Sequence, residues 1–328
     1  MTFVEMHGPT SPGGCRPSGW SPALGQGSHF LASVEAARFL AAFGVVWFHC
    51  DSGPWRRVGY AGLPIFIMVS LALLAKKDPV DGFAQFVKRR AARLLSPWVF
   101  WTLVYLAYQL ARGSILHREP RVNDVWRVGS SLHLWYLPYV FVASLAVWGL
   151  RYSTRHVPRT FMVLVLVLAA MSSILVVSRI LEQCDLWVPV PQWLFGSPGV
   201  LLGMGIGLVL GLESSRADRH WLAAIALVAA FFCLVLAITG HTGLAVSYGI
   251  AIPLVCGIFR WRDWESMWAT RLGALSFGIY LVHPLVSGVL SYLTGSQMRG
   301  FGIRPIAVFL GSVALTLLLK RSPLRVFV

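Results

Sequence analysis

The chain has 328 residues, of which 56% are hydrophobic and only 12% are charged. Soluble domains carry about 25% charged residues, so this composition excludes an ordinary soluble protein and favours one embedded in lipid. The net charge of +15 does not indicate nucleic-acid binding, because the basic residues lie in short segments between apolar runs, as they do in membrane proteins. The cysteines lack CxxC spacing and predict neither a metal site nor a disulfide framework.

The sequence predicts an all-α integral membrane protein built as a single helical bundle. Residues 1–28 are rich in Gly, Pro and Ser and predict a disordered cytosolic tail. Residues 29–320 predict a transmembrane domain of about ten helices, and 321–328 predict a short cytosolic tail. The predicted spans are 30–50, 59–75, 94–111, 132–150, 160–178, 197–212, 221–239, 242–259, 272–293 and 303–319.

The distribution of Lys and Arg predicts the orientation of the bundle. Basic residues are concentrated in alternate connections, with the main groups at 76–77, 88–93, 151–159, 260–271 and 320–325. The positive-inside rule places these groups, and with them both termini, in the cytosol. Arg38 then lies toward the cytosol and His49 toward the opposite face.

The first apolar run, VEAARFLAAFGVVWFHC, carries two ionisable groups that a helix would place on one face. At about 100° per residue, His49 returns to within roughly 20° of Arg38 and lies about 16 Å further along the axis. One interpretation is that each side chain simply reaches its own membrane surface. The other is functional: Arg38, oriented by Glu35 three residues earlier, holds an anionic group, and the His49 imidazole acts as a general base.

A basic segment precedes the third span, in FVKRRAARLLSPW. Arg89 and Arg93 lie on one helix face at the predicted cytosolic surface, with Arg90 beside them. These residues are either topology determinants in contact with lipid phosphates or a site for a phosphate-bearing cytosolic cofactor. Pro97 is expected near the start of the span, where its missing N–H costs little.

Two further segments carry polar groups within apolar sequence. HLWYLPYVF places His133, Trp135 and Tyr136 at the predicted outer surface, where an aromatic belt is the simple alternative to a site. LGALSFGIYLVHP places polar groups on one helical stripe that faces the bundle, namely Ser276, Tyr280 and His283.

Taken in order, these motifs resemble the acyltransferase-3 family of integral-membrane acyltransferases. The similarity runs from residue 34 to 284 and rests on Glu35 with Arg38 and His49, the basic segment KRRAARLLSPW, the HLWYL segment from His133, and Ser276, Tyr280, Leu281 and His283. The second span departs from the family pattern FFxxSGFL, because IFIMVSLALL has Leu71 where a glycine is expected after Ser70.

The resemblance implies a bacterial inner-membrane enzyme that transfers an acyl group, commonly acetyl, from cytosolic acyl-CoA to a hydroxyl of a glycan or glycolipid. It implies an acyl-CoA donor substrate, a glycan or lipid-linked acceptor and membrane lipids as partners, with no tightly bound cofactor, no metal and no nucleic acid. Acetyl, succinyl and longer acyl groups all stay open, as does the oligomeric state.

We assign the site residues on the same basis. His49 is the predicted catalytic base, Arg38 with Glu35 holds the donor or stabilises charge on the carbonyl oxygen, and three arginines bind acyl-CoA: Arg89, Arg90 and Arg93. The predicted substrate-binding residues are His133, Trp135, Tyr136, Ser276, Tyr280 and His283. The alternatives are a transporter or flippase of a glycan-linked lipid and an inactive family member within a polysaccharide-biosynthesis complex.

Overall fold

The computed structural model describes residues 31–50, 53, 55–77, 82–111, 131–183, 189–212, 215–240, 242–260, 265–294 and 302–328. Within these residues every regular element is a helix. The predicted tail at 1–28 lies outside the described residues.

The α-helices, in chain order, are α1 (Leu31–Cys50), α2 (Arg56–Gly59), α3 (Gly62–Ala75), α4 (Phe83–Ala111), α5 (Tyr136–Ser153), α6 (Arg159–Gln183), α7 (Pro189–Leu210), α8 (Ser215–Ile238), α9 (Thr242–Arg260), α10 (Met267–Gly273), α11 (Ser276–Thr294) and α12 (Ile303–Lys320). Two 3-10 helices complete the described chain, at Leu132–Trp135 before α5 and at Pro323–Phe327 after α12.

Helix length and composition confirm an all-α membrane protein. The described chain contains 8 helical segments that are long and apolar enough to cross a bilayer. Each of the ten predicted runs contains a helix, but α1 and α9 are not among these 8 segments, and the apolar part of α9, Leu244–Arg260, is shorter than they are. The first run forms α1, which is 20 residues long and carries the charged pair Glu35 and Arg38 within its apolar sequence.

The bundle is organised around α1 and α3. Helix α1 packs against α3, α9, α10, α11 and α12, and α3 packs against α5, α7 and α9. Glycines on α7 make the contact with α3 close, because a Cβ on Gly203 would lie 2.9 Å from the Met68 carbonyl oxygen and one on Gly207 would lie 2.5 Å from that of Ala72. Small residues therefore set this interface, as the Gly-rich sequence of the sixth run indicates.

The outer faces of the bundle are apolar. Large hydrophobic side chains stand exposed along the peripheral helices, among them Leu103, Leu168, Leu227, Phe231 and Ile238. In a protein surrounded by water such a surface would be unfavourable, whereas in a bilayer it faces lipid.

Two expectations about helix ends are wrong. Helix α4 begins at Phe83, so Pro97 lies in its middle and not near its start. The segment between the fifth and sixth predicted spans, 179–196, is also largely helical, because α6 runs to Gln183 and α7 begins at Pro189. Proline at a helix start costs little, and proline inside a membrane helix is tolerated where neighbouring groups compensate for the lost hydrogen bond.

The last residues of the chain pack against α4. The Trp101 indole Nε1 donates to the Phe327 carbonyl at 3.0 Å, and the rings of Phe100 and Phe327 stack with centroids 4.3 Å apart. The 3-10 helix Pro323–Phe327 is thereby fixed beside the middle of α4.

Candidate active site

Helix α1 carries the charged pair at one end of the site. The Arg38 Nη1 atom donates to the Glu35 Oε1 atom at 2.9 Å, which is the contact expected from their spacing. Glu35 in turn lies against Gly273, the last residue of α10, where an added Cβ would come within 2.3 Å of the Glu35 Cβ. Because α1 is unbroken, Arg38 and His49 remain about 16 Å apart along the axis.

Three histidines from three different elements meet near the other end of α1, and we call His49, His133 and His283 the histidine cluster. The ring centroids of His49 and His283 are 5.2 Å apart, and those of His133 and His283 are 5.3 Å apart. His133 and His283 are buried, with exposed fractions of 4% and 0%, whereas His49 is exposed. The cluster therefore consists of two buried imidazoles and one accessible imidazole.

The hydrogen bonds of His133 occupy both of its ring nitrogens. The Leu281 carbonyl lies 3.3 Å from Nε2 and accepts only if Nε2 carries the proton. Nδ1 then accepts from the Ser131 hydroxyl at 2.9 Å. His133 is held by the protein on both sides, which suits a residue that positions its neighbours.

His283 has one free ring nitrogen. Its Nδ1 lies 2.7 Å from the Tyr280 carbonyl and donates to it, which leaves Nε2 as an acceptor. Nε2 is buried and has no hydrogen-bond partner among the described residues. A buried, unpartnered acceptor costs free energy, so this atom is poised for a group that the protein itself does not supply.

His49 lies between aromatic and basic neighbours. Its ring packs edge-on against Phe48, with centroids 5.1 Å apart. Arg56 on α2 is close enough to interact electrostatically with His49, and its Nε donates to the Phe48 carbonyl at 3.2 Å. The base predicted from the sequence thus has an accessible ring beside a cation.

Buried tyrosines connect the histidine cluster to Arg38. The Tyr280 hydroxyl donates to the His133 carbonyl, and the rings of Tyr136 and Tyr280 lie 5.3 Å apart. Tyr136 forms a side-chain hydrogen bond with Ser70 and lies close enough to Arg38 to interact electrostatically. These buried tyrosines, which we call the polar line, therefore lie between the histidine cluster and Arg38.

The remaining predicted substrate-binding residues line this region or its edges. Ser276 is buried and donates to the Gly273 carbonyl at 2.6 Å, near the Glu35 end. Trp135 is also buried and packs on Tyr139, with ring centroids 5.3 Å apart. The burial of His133, Trp135 and Tyr136 is not that of an aromatic belt facing lipid headgroups.

The three predicted donor-binding arginines lie on the first turns of α4. Arg89 and Arg93 are exposed, and Arg90 is half-buried with its guanidinium 5.6 Å from the Phe86 ring centroid. Along an ideal helix Arg93 is about 18 Å from Tyr105, whose ring lies 5.1 Å from that of His133. The arginines are therefore remote from the histidine cluster but on a helix that reaches it.

Two residues at the site did not emerge from the sequence. Tyr105 packs on His133, and its hydroxyl donates to the Leu281 carbonyl at 2.7 Å. The spacing of Trp101 and Tyr105 on one face of α4 was an available signal. The second residue is Arg304, at the start of α12, whose Nη2 donates to the Ser291 hydroxyl at 2.9 Å. Its signal was a basic residue at the edge of the last apolar run.

Within the described residues, no group of three or more His, Cys, Asp or Glu side chains is arranged to hold a metal ion. The imidazoles of the histidine cluster can donate and accept hydrogen bonds, and a neutral imidazole can accept a proton. Such a cluster can accept a proton from a hydroxyl that approaches His49.

Comparison with known proteins identifies the family of the chain. The family model of the acyltransferase-3 family, described as an acyltransferase domain, matches residues 31–320. No curated protein and no solved structure matches the chain. The match extends from the start of α1 to the end of α12 and includes the charged pair and the histidine cluster, and the chain belongs to the acyltransferase-3 family of membrane acyltransferases.

Proposed function

We propose that this membrane acyltransferase moves an acyl group, acetyl in the first instance, from acyl-CoA to a hydroxyl of a glycan or glycolipid. The observation that carries the proposal is the histidine cluster, in which an exposed His49 lies against a buried His283 with a free ring nitrogen. An accessible imidazole beside a second proton acceptor suits removal of a proton from an alcohol.

The transfer step needs only these groups and the two substrates. His49 takes the proton of the acceptor hydroxyl as the hydroxyl oxygen attacks the thioester carbonyl carbon. The new C–O bond forms, the C–S bond breaks, and the proton passes from His49 to the departing sulfur. The products are an ester and CoA with a free thiol, and His49 returns to its starting state.

The position of Arg38 supports a role in holding the donor. Groups that stabilise a carbonyl oxyanion act at about 2.7–3.1 Å from it. A carbonyl attacked at His49 is too far from Arg38, since about 16 Å of helix separates the two residues. Of the two roles predicted from the sequence, we therefore propose donor binding for Arg38, with Glu35 fixing its orientation.

The same separation along α1 suggests a path for the acyl-CoA donor from the cytosol to His49. Arg89, Arg90 and Arg93 are proposed to bind the phosphates of acyl-CoA, because guanidinium groups bind phosphate through paired hydrogen bonds. The long pantetheine arm would then extend past Arg38 and the buried tyrosines to His49. This polarity supports donor entry from the cytosol and transfer near the opposite face. The family resemblance is what suggests that the membrane is a bacterial inner membrane.

Substitution of His49 by Ala tests the proposal. Purified protein in nanodiscs is incubated with acetyl-CoA labelled in the acetyl group and with the surface glycans of the host. We expect the wild type to label a glycan and His49→Ala to lose about 10²–10⁴-fold in rate, the usual contribution of a general base. His220→Ala is the matched control, because His220 is an exposed histidine near the start of α8 and should keep the wild-type rate.

Transfer to glycan by His49→Ala at the wild-type rate would exclude His49 as the base. A wild type that binds glycan-linked lipid but labels no acceptor would instead favour the transporter or flippase alternative. Mass spectrometry of the labelled glycan identifies the acyl group and the acceptor in the same experiment.

A further inference from the structure

The polar stripe of α11 continues past the histidine cluster to a cationic group. Ser287 lies one turn beyond His283, and Ser291 lies one turn beyond Ser287. Arg304, near the start of α12, donates through Nη2 to the Ser291 hydroxyl at 2.9 Å and to the Ser287 hydroxyl at 3.3 Å. The Cys50 thiol, next to His49 in the chain, contacts the same Ser287 hydroxyl at 3.9 Å.

The charge of Arg304 is not neutralised within this cluster. Among the described residues its hydrogen-bond partners are two hydroxyls, and none is a carboxylate. Within the described part of the chain only Nη2 makes such bonds, which leaves the N–H groups of Nη1 and Nε for another acceptor. Arg304 is half-buried, which strengthens its electrostatic interactions relative to bulk water while it stays accessible.

Arg304, Ser287 and Ser291 lie close to the end of α1 that carries His49, where acyl transfer is proposed. Four residues of helix separate His283 from Ser287, a rise of about 6 Å. The N-terminus of α12 adds the positive end of its helix dipole to the potential at this point. An anion held by Arg304 would therefore lie about one helical turn from the hydroxyl that His49 activates.

We propose that Arg304, Ser287 and Ser291 form an acceptor subsite that binds an oxyanion of the acceptor, a carboxylate or a phosphate on or next to the acylated sugar. The inference rests on the proposed function, since it assigns the acceptor to the His49 end of α1. It makes Arg304 a specificity residue that distinguishes anionic from neutral glycans.

The test measures equilibrium binding of three oligosaccharides to the full chain in nanodiscs, without acyl-CoA. One oligosaccharide is neutral, one carries a sugar carboxylate, and one is attached to a lipid diphosphate. We expect one of the two anionic forms to bind more tightly than the neutral form. Arg304→Gln should weaken that anionic form by about ten- to a hundredfold and leave the neutral form unchanged.

Matched variants separate recognition from folding. Arg304→Lys keeps the charge and should retain part of the affinity, and Ser291→Ala should give a smaller loss. Arg179→Gln removes the same charge from an exposed position on α6, which does not pack against α11 or α12, and should bind all three ligands as the wild type does. Melting temperatures of all variants identify any that fail to fold.

Equal binding of all three ligands by the wild type would overturn the inference, as would an equal loss for all three in Arg304→Gln. A label-transfer assay with the same ligands is read separately. Charge-selective binding without transfer would leave the subsite standing and contradict the proposed function, and transfer without charge selectivity would do the reverse.

Discussion

Replacement of Gly273 by Ala should displace the charged pair, Glu35 and Arg38, relative to the rest of the site. A Cβ at this position would lie 2.3 Å from the Glu35 Cβ and 2.6 Å from the Glu35 Cα. Rotation of the Glu35 side chain cannot relieve the second contact, because Cα belongs to the backbone of α1. Helices α1 and α10 must therefore separate by about 1 Å before the contact becomes an ordinary one.

That displacement sets the size of the expected effect. A shift of about 1 Å in a positioning group can reduce the rate by about a hundredfold, and overpacking costs about 1–3 kcal/mol of stability. Initial rates of acetyl transfer in nanodiscs measure the first quantity, and thermal unfolding in detergent measures the second. We expect both to fall in Gly273→Ala.

Gly257→Ala is the control for the same chemical change. Gly257 lies within α9, and an added Cβ there meets no atom within 4 Å. Alanine favours helix over glycine, so this variant should keep the wild-type rate and unfold no earlier. If Gly273→Ala matched Gly257→Ala in both measurements, the close approach of α10 to α1 would have no part in holding Glu35 and Arg38.

Three further predictions test other parts of the molecule. His283→Asn keeps a donor for the backbone carbonyl but removes Nε2, so we expect near-normal thermal unfolding with an acetyl-transfer rate reduced by at least about tenfold. Gly207→Ala should lower the unfolding temperature through a clash with α3, with Gly205→Ala on the same helix as an unaffected control, since its nearest contact would be 3.7 Å. In a background without native cysteines, a membrane-impermeant thiol reagent should label Trp55→Cys in intact cells and Arg321→Cys only after permeabilisation. The reverse labelling pattern would show that the predicted orientation of the bundle in the membrane is wrong.

The sequence predicts most of the fold because lipid imposes a length on each element. Every predicted apolar run contains a helix, and the motifs fall on α1, α4, α11 and the 3-10 helix Leu132–Trp135 with the start of α5. The errors concern helix ends that contain proline. Pro97 is predicted near a helix start and the sixth span is predicted to begin at 197, yet α4 continues through Pro97 and α7 begins at Pro189.

The site is harder to predict, because it depends on which helices touch. The stripe of Tyr280 and His283 was visible as a helical period, but its contact with His49 depends on how α11 packs against α1. The free Nε2 of His283 depends on a backbone carbonyl on its own helix, and a motif of residue types does not contain that information.

The departure from the family pattern at Leu71 has a local explanation. Leu71 is fully buried, and its Cβ would lie 3.2 Å from a Cβ on Gly203 of α7. The large side chain of Leu71 on α3 therefore faces a glycine on α7, which allows the two helices to pack closely. Ser70, next to it, keeps its hydrogen bond to Tyr136. In this chain α7 supplies the small residue at the interface, and α3 supplies the larger one.

The two cations at the ends of the polar line differ in what surrounds them, and the difference bears on what each can bind. Arg38 lies 2.9 Å from a carboxylate, so the pair contributes little net charge and its role is directional. Arg304 is bonded to hydroxyls, which satisfy N–H groups but bring no charge. A cation in a membrane protein that keeps its charge is costly unless an anion visits it. Among the described residues no carboxylate bonds to Arg304, so we expect a charged substrate at that end of the polar line, and we expect the long arm of the donor to pass the paired Arg38.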